Sequence, residues 1–154
     1  MNLEKIIARS RIKIGIPDSD KWTVIEGLAD LIAADNKGSN REVLLRDTLD
    51  REEKGSTGIG KGIAIPHART TGVTELVGAL GIFRPGVDFD AEDGQPCHLV
   101  FLILAPPAES TLYLKALSAV ACIGRDEDLI SRLTSAASPD DVMSILREVE
   151  GGNH

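Results

Sequence analysis

Aromatic side chains are scarce in this chain: one tryptophan, one tyrosine and three phenylalanines in 154 residues. Proteins that bind nucleic acid stack bases on aromatic rings and gather positive charge. Here the shortage of rings is joined by a formal net charge of −7, from 17 Lys and Arg against 24 Asp and Glu. No nucleic-acid partner is expected. Long apolar runs are missing too. The longest, Leu99 to Leu104, has the length of a buried strand and falls far short of the ~18 residues of a membrane span. Direct membrane insertion is therefore not expected, and no charged segment with a cleavable apolar stretch opens the chain to direct export. The only cysteines, Cys97 and Cys122, form no C-x-x-C pair and no disulfide framework, which fits free thiols in the cytoplasm. Both lie in apolar stretches where a thiolate is disfavoured. Two separated cysteines and three histidines lack zinc-ligand spacing, so no metal is expected. No repeat, low-complexity tract or linker is present. The length suits one compact domain over residues 1–150, followed by a Gly-Gly-Asn-His tail at 151–154.

What is present alternates between strand and helix patterns. Ile12, Ile14 and Ile16 alternate with polar or small residues as a first strand, ended by Pro17-Asp18. Trp22 to Ala34 places Ile25, Leu28, Ala29 and Ile32 at helical spacing, closed by Asn36-Lys37-Gly38. Ser39 to Glu42 fits a capping box with Ser39 as N-cap, opening a helix that carries Arg51 near its end. Leu76 to Phe83 and Leu99 to Leu104 are apolar throughout, as strands covered on both faces are. Arg84-Pro85-Gly86-Val87 has proline and glycine where a type II turn wants them, and Asp93-Gly94 signals another turn. In the last third, Leu112 to Ile123 is helical with an expected inner face of Leu114, Leu117, Val120 and Ala121. Asp126 caps a short helix, and Ser138-Pro139-Asp140-Asp141 opens a final one running to Gly151. Strands interspersed with helix pairs predict an α/β fold, with helices packed on a mixed central sheet.

The chemistry concentrates between Glu52 and Ala68. Gly55, Gly58, Gly60 and Gly62 give a loop able to reach φ > 0, followed by the strand-like Ile63-Ala64-Ile65, a stop at Pro66, and His67. Gly55 to Lys61 matches the nucleotide-binding pattern G-x-x-x-x-G-K, but Gly62 stands where a magnesium-ligating Ser or Thr is needed. The pattern must also come after a strand and open a helix, whereas Asp47 to Lys54 is helical and Pro66 rules out a helix directly downstream. The nucleotide reading fails on both counts.

Glu52, then Ile59-Gly60, then Ile63-Ala64-Ile65-Pro66-His67-Ala68 together resemble the phosphorylation-site signature of the type 2 enzyme IIA domains. These domains belong to the bacterial phosphoenolpyruvate-dependent sugar phosphotransferase system, in its fructose, mannitol and nitrogen-regulatory branch. The resemblance implies a three-layer α/β/α sandwich over nearly the whole chain. It implies that Nε2 of His67 takes a phosphoryl group from a histidine phosphocarrier protein, with no cofactor. A hydrogen bond from the other ring N–H to a carbonyl would set the tautomer, and loop amides from Thr57 to Gly62, including Gly58 and Gly60, would face the phosphoryl oxygens. Arg51 stands at the offset of the family's arginine. It either orients phosphate or partner, or is a solvated cation favoured at a helix end. Tyr113 occupies the position of the family's second histidine, as a hydrogen-bond donor or simply as helix packing. His98, before the Leu99 strand, is either a structural group or a neighbour of His67. The chain looks most like the nitrogen-regulatory branch, whose output is control of a regulatory protein. The alternatives are a fructose- or mannitol-type carrier serving a IIB transport component, and an interaction module with the same fold that carries no phosphate.

Overall fold

The computed structural model describes residues 1–15 and 20–151, with side chains up to residue 148. A short helix α1 (Leu3–Ile6) leads into β1 (Ile7–Ile14), then α2 (Lys21–Asp35) and α3 (Arg41–Glu53). Three short strands come next, β2 (Gly58–Gly60), β3 (Ile63–Ala64) and β4 (His67–Arg69), and then the long pair β5 (Val77–Val87) and β6 (Cys97–Ala105). Helices α4 (Ser110–Ile123), α5 (Glu127–Thr134) and α6 (Pro139–Gly151) complete the chain. The Pro17-Asp18 turn and the tail beyond Gly151 lie outside the described residues, as does His154.

The six-stranded sheet runs β1-β5-β6-β3-β2, with β4 also on β6. It is mixed: β1 on β5, and β3 and β4 on β6, are parallel, whereas β5–β6 and β2–β3 are antiparallel. Strand alternation sorts β6 between two cores. Leu99, Phe101, Ile103 and Ala105 point into the one beneath α4, α5 and α6; Val100, Leu102 and Leu104 point into the one beneath α2. All seven are fully buried, the physical reason this stretch reads as continuously apolar. Helices on both faces of a mixed sheet make the expected three-layer α/β/α arrangement.

Local signals place most boundaries. Asp20 caps α2 by accepting the Thr23 N–H at 2.8 Å, and Ile25, Leu28, Ala29 and Ile32 are all buried. Ser138 Oγ accepts the Asp141 N–H at 3.2 Å at the start of α6. The cap of α3 is not Ser39 but Asn40, whose Oδ1 accepts the Val43 N–H at 3.2 Å; the Ser39 hydroxyl donates back to the Ala33 carbonyl of α2.

Three further differences are instructive. Pro85-Gly86 does not end β5: Gly86 takes φ +86° as a bulge, and Val87 rejoins the ladder opposite Cys97. Only glycine fits there, since a Cβ would stand 2.7 Å from Pro96 Cβ. Pro66 likewise interrupts the strand without stopping it. β3 pairs Ile63 with Leu99, β4 pairs His67 with Ile103, and the offset of 36 residues is the same on both sides. Finally, α4 buries Tyr113, Ala116, Val120 and Ile123, while Leu114 is 62% exposed. Leucines and alanines surround this helix, so periodicity alone leaves its inner face ambiguous; the small Ala116 faces the sheet where a leucine would hold the helix off.

Candidate functional site

His67 opens β4, and its register partner Ile103 points into the core beneath α4, so the imidazole faces that helix. Its ring lies 6.0 Å, centroid to centroid, from the ring of Tyr113, tilted by 53°. The Nδ1–H donates to the Ile65 carbonyl at 2.5 Å, which fixes the tautomer and leaves the Nε2 lone pair without a partner among the described residues. The ring lines a shallow pocket of about 350 Å³ with Arg51, Thr57, Ile59, Leu117 and Ala121. Ile59 is 45% exposed, and Leu117 and Ala121 are partly so, giving the imidazole an apolar collar.

Burial is the main cause holding the His67 pKa below its ordinary 6.5. The bond to Ile65 opposes it, the Arg51 charge adds to it, and the Glu52 charge opposes it. The ring is therefore neutral at neutral pH, the form with a free lone pair. The folded protein binds this proton less readily than the unfolded chain. Stability thus rises with pH across the imidazole range, free of any penalty from this ring above pH 6.5 and falling as pH drops through the lower folded value. Titration by NMR is expected to give a His67 midpoint below 6.5 that Arg51→Ala moves upward; a midpoint above 6.5, or one Arg51→Ala lowers, contradicts this assignment.

The glycine loop is a hairpin held partly by side chains around it. The Thr57 N–H donates to Glu52 Oε2 at 3.0 Å and its hydroxyl to Oε1 at 2.5 Å. The Gly58 N–H donates to Ser56 Oγ at 3.0 Å and the Lys61 N–H to Asp93 at 3.1 Å. Three of the amides expected to face phosphate, those of Thr57, Gly58 and Lys61, are thus engaged by protein acceptors. Gly58 and Gly60 also shape the hairpin: a Cβ on Gly58 would meet Ala91 Cβ at 2.9 Å, and Gly60 takes φ +89° against Asp93. Arg51 does reach the pocket, tethered by one donor to the Gly55 carbonyl at 2.9 Å. The Tyr113 hydroxyl makes no hydrogen bond among the described residues, and burial holds its pKa up at about 12, with Arg69 and then Arg51 opposing. Beyond Tyr113, Arg69 donates to Ser110 Oγ at 2.9 Å.

His98 does not join this group. It stands five residues from Ile103 along β6, where its Nδ1 meets the Phe83 carbonyl at 3.0 Å and its N–H the Gly62 carbonyl at 2.7 Å. Cys97 is buried, with its thiol pushed up to about 12, mainly by burial; Cys122, placed in an apolar setting by its neighbours, is exposed. Among the described residues no three His, Cys, Asp or Glu side chains are grouped to hold a metal ion. None of their helices is long and apolar enough to cross a membrane.

One residue escaped the sequence reading. Lys21, 8% exposed, places its ammonium 3.3 Å from the buried Glu52 carboxylate, 3.2 Å from Asp90, and over the Trp22 ring. It thereby anchors the carboxylate that holds the hairpin. The one available hint is that a lysine in the first turn of a helix opposes the helix dipole.

The family described as "Phosphoenolpyruvate-dependent sugar phosphotransferase system, EIIA 2" matches residues 5–149. A "Nitrogen regulatory protein" of Pseudomonas aeruginosa is 34% identical over 99% of both chains. A "PTS system fructose-specific EIIABC component" of Bacillus subtilis is also 34% identical, over 96% of this chain but only 23% of that protein. Among solved structures, the nitrogen regulatory protein IIA-Ntr from Neisseria meningitidis superposes with a TM-score of 0.85, at 31% identity over 94% of this chain and 98% of that one.

Proposed function

The chain belongs to the EIIA type 2 family of the phosphoenolpyruvate-dependent sugar phosphotransferase system, and we propose that it is a phosphocarrier that accepts a phosphoryl group on Nε2 of His67. The observation that carries this reading is the Nδ1–H bond to the Ile65 carbonyl, which directs a neutral nitrogen lone pair into an open pocket. The donor is a histidine phosphocarrier protein. As its P–N bond breaks, the bond pair returns to the donor imidazole while the His67 lone pair forms the new N–P bond. The proton stays on Nδ1, bonded to the Ile65 carbonyl, which supports the positive charge that develops on the ring. Such a transfer depends chiefly on in-line positioning and on stabilising the equatorial oxygens. A shallow site with an apolar collar lets a protein donor come close and keeps water away.

The output we assign is regulatory, of the nitrogen type, in the cytoplasm, with a regulatory protein as downstream partner. Full-length similarity to a nitrogen regulatory protein supports it. The equal identity of a fructose-specific relative supports the second reading, a carrier serving a IIB component. Incubation with phosphoenolpyruvate, enzyme I and the histidine phosphocarrier, then intact mass at neutral pH, is expected to show one phosphate of about 80 Da. Fragmentation should place it on His67. Absence of phosphate, with the donor active on another acceptor, would favour the interaction module. Onward transfer from the labelled protein to a fructose-type IIB component would favour the transport role over the regulatory one.

A further inference from the structure

Arg69 stands two residues beyond His67 on β4, so the two side chains leave the same face of the strand. Their register partners, Ile103 and Ala105, point into the core beneath α4, and that helix answers with a matching pair. Tyr113 meets the His67 ring, while Ser110, one turn earlier on the same helix face, accepts from Arg69 at 2.9 Å. Arg51 shares the His67 pocket with Leu117 and Ala121. Both guanidinium charges act on the Tyr113 hydroxyl, whose ring lies against the imidazole.

Their electrostatic state differs from that of most arginines in this chain. Arg9, Arg11, Arg41, Arg46, Arg132 and Arg147 each pair with a carboxylate. Arg84 donates to the Ala136 carbonyl and Arg125 to Cys122 Sγ. Arg51 and Arg69 likewise pair with no carboxylate among the described residues, although the sequence offers 24 acids. Each is tethered by one donor to a neutral oxygen, a carbonyl for Arg51 and a hydroxyl for Arg69. A guanidinium has five N–H donors in a fork that suits phosphate oxygens. Two that remain uncommitted beside one nucleophile leave a place for a dianion.

We propose that Arg69 is a second phosphoryl-binding residue, closing with Arg51 on the group carried by Nε2 of His67, with the Tyr113 hydroxyl as a donor between them. The proposal rests on the carrier reading. The exposed Arg69 side chain exchanges its neutral Ser110 partner for a charge-assisted bond to a phosphoryl oxygen, the stronger interaction. It replaces the charge that an imidazolium at position 113 would supply and that a tyrosine held protonated does not.

The test uses potassium phosphoramidate, a small donor that needs no protein contact, beside the protein donor. Arg69→Ala is expected to slow labelling by phosphoramidate about tenfold, the loss of one charge-assisted hydrogen bond. It should also raise the second pKa of the phosphoryl group in a 31P NMR titration, because a nearby cation is gone. Arg69→Lys should restore part of both, and Ser110→Ala should leave both intact, since it removes only the resting tether. An unchanged phosphoramidate rate and 31P titration in Arg69→Ala would overturn the proposal. The same result with a slowed protein donor would make Arg69 a partner contact instead. No label on the wild type from either donor would overturn the carrier reading itself, a separate result from an unaffected Arg69→Ala.

Discussion

His67→Ala is expected to give a folded protein that takes up no phosphate. The ring is half-buried and makes one hydrogen bond, to the Ile65 carbonyl. Its loss is worth about 1 kcal/mol, or roughly 2–4 °C in melting temperature for a chain of this size. Nothing nearby replaces the nucleophile. Tyr113 is the nearest ring, but its hydroxyl, with a pKa near 12, stays protonated at neutral pH and attacks poorly. His98 is five residues along β6 from the partner of His67 and directs its Nδ1 to the Phe83 carbonyl. Wild type and variant would be compared by intact mass after identical exposure to the protein donor, with a thermal melt of each. Labelling of a folded His67→Ala at the wild-type rate would remove His67 from the mechanism. A variant that fails to melt cooperatively would show that the ring bears far more of the fold than one hydrogen bond implies.

Lys21→Met is expected to produce the largest loss of stability, about 3–5 kcal/mol, the range for leaving one member of a buried ion pair without its partner. Lys21 makes two ion pairs of nearly equal length, and burial separates them. Glu52 has a fully buried side chain, whereas the Asp90 side chain is 72% exposed. The Asp90 contact is screened by water, so Asp90→Asn should cost less than about 1 kcal/mol. The Glu52 carboxylate has no such screening, and it also holds the Thr57 amide and hydroxyl. Lys21→Met should therefore loosen the hairpin beside His67 and slow its labelling. The double variant Lys21→Met/Glu52→Gln should be less destabilised than the sum of its single changes, because a neutral amide in place of Glu52 leaves no buried charge unpaired. Urea denaturation measures all of these. A Lys21→Met midpoint equal to wild type would show that the pair contributes nothing.

By itself the sequence determined the alternation of strands and helices, the two fully covered strands, most caps, and the position of the histidine at a strand break. These are carried by local periodicity, turn chemistry and a seventeen-residue motif from Glu52 to Ala68, all of which act over a few turns of chain. The same locality explains the errors. Pro66 and Pro85-Gly86 signal stops, yet the sheet continues past both because β6 lies alongside and supplies the ladder partners. Ser39 and Asn40 are both acceptable caps; the Ala33 carbonyl of α2 takes the serine hydroxyl. Glycines at 58 and 60 suggest free amides, but Ser56 accepts the Gly58 N–H, and Glu52 and Asp93 accept the neighbouring Thr57 and Lys61 amides. Only the tertiary structure brought Lys21, thirty-one residues away in sequence, beneath Glu52, and only the register of β4 on β6 set Arg69 beside His67 facing α4. Contacts between distant segments depend on how the layers pack, and no short stretch of sequence carries that information.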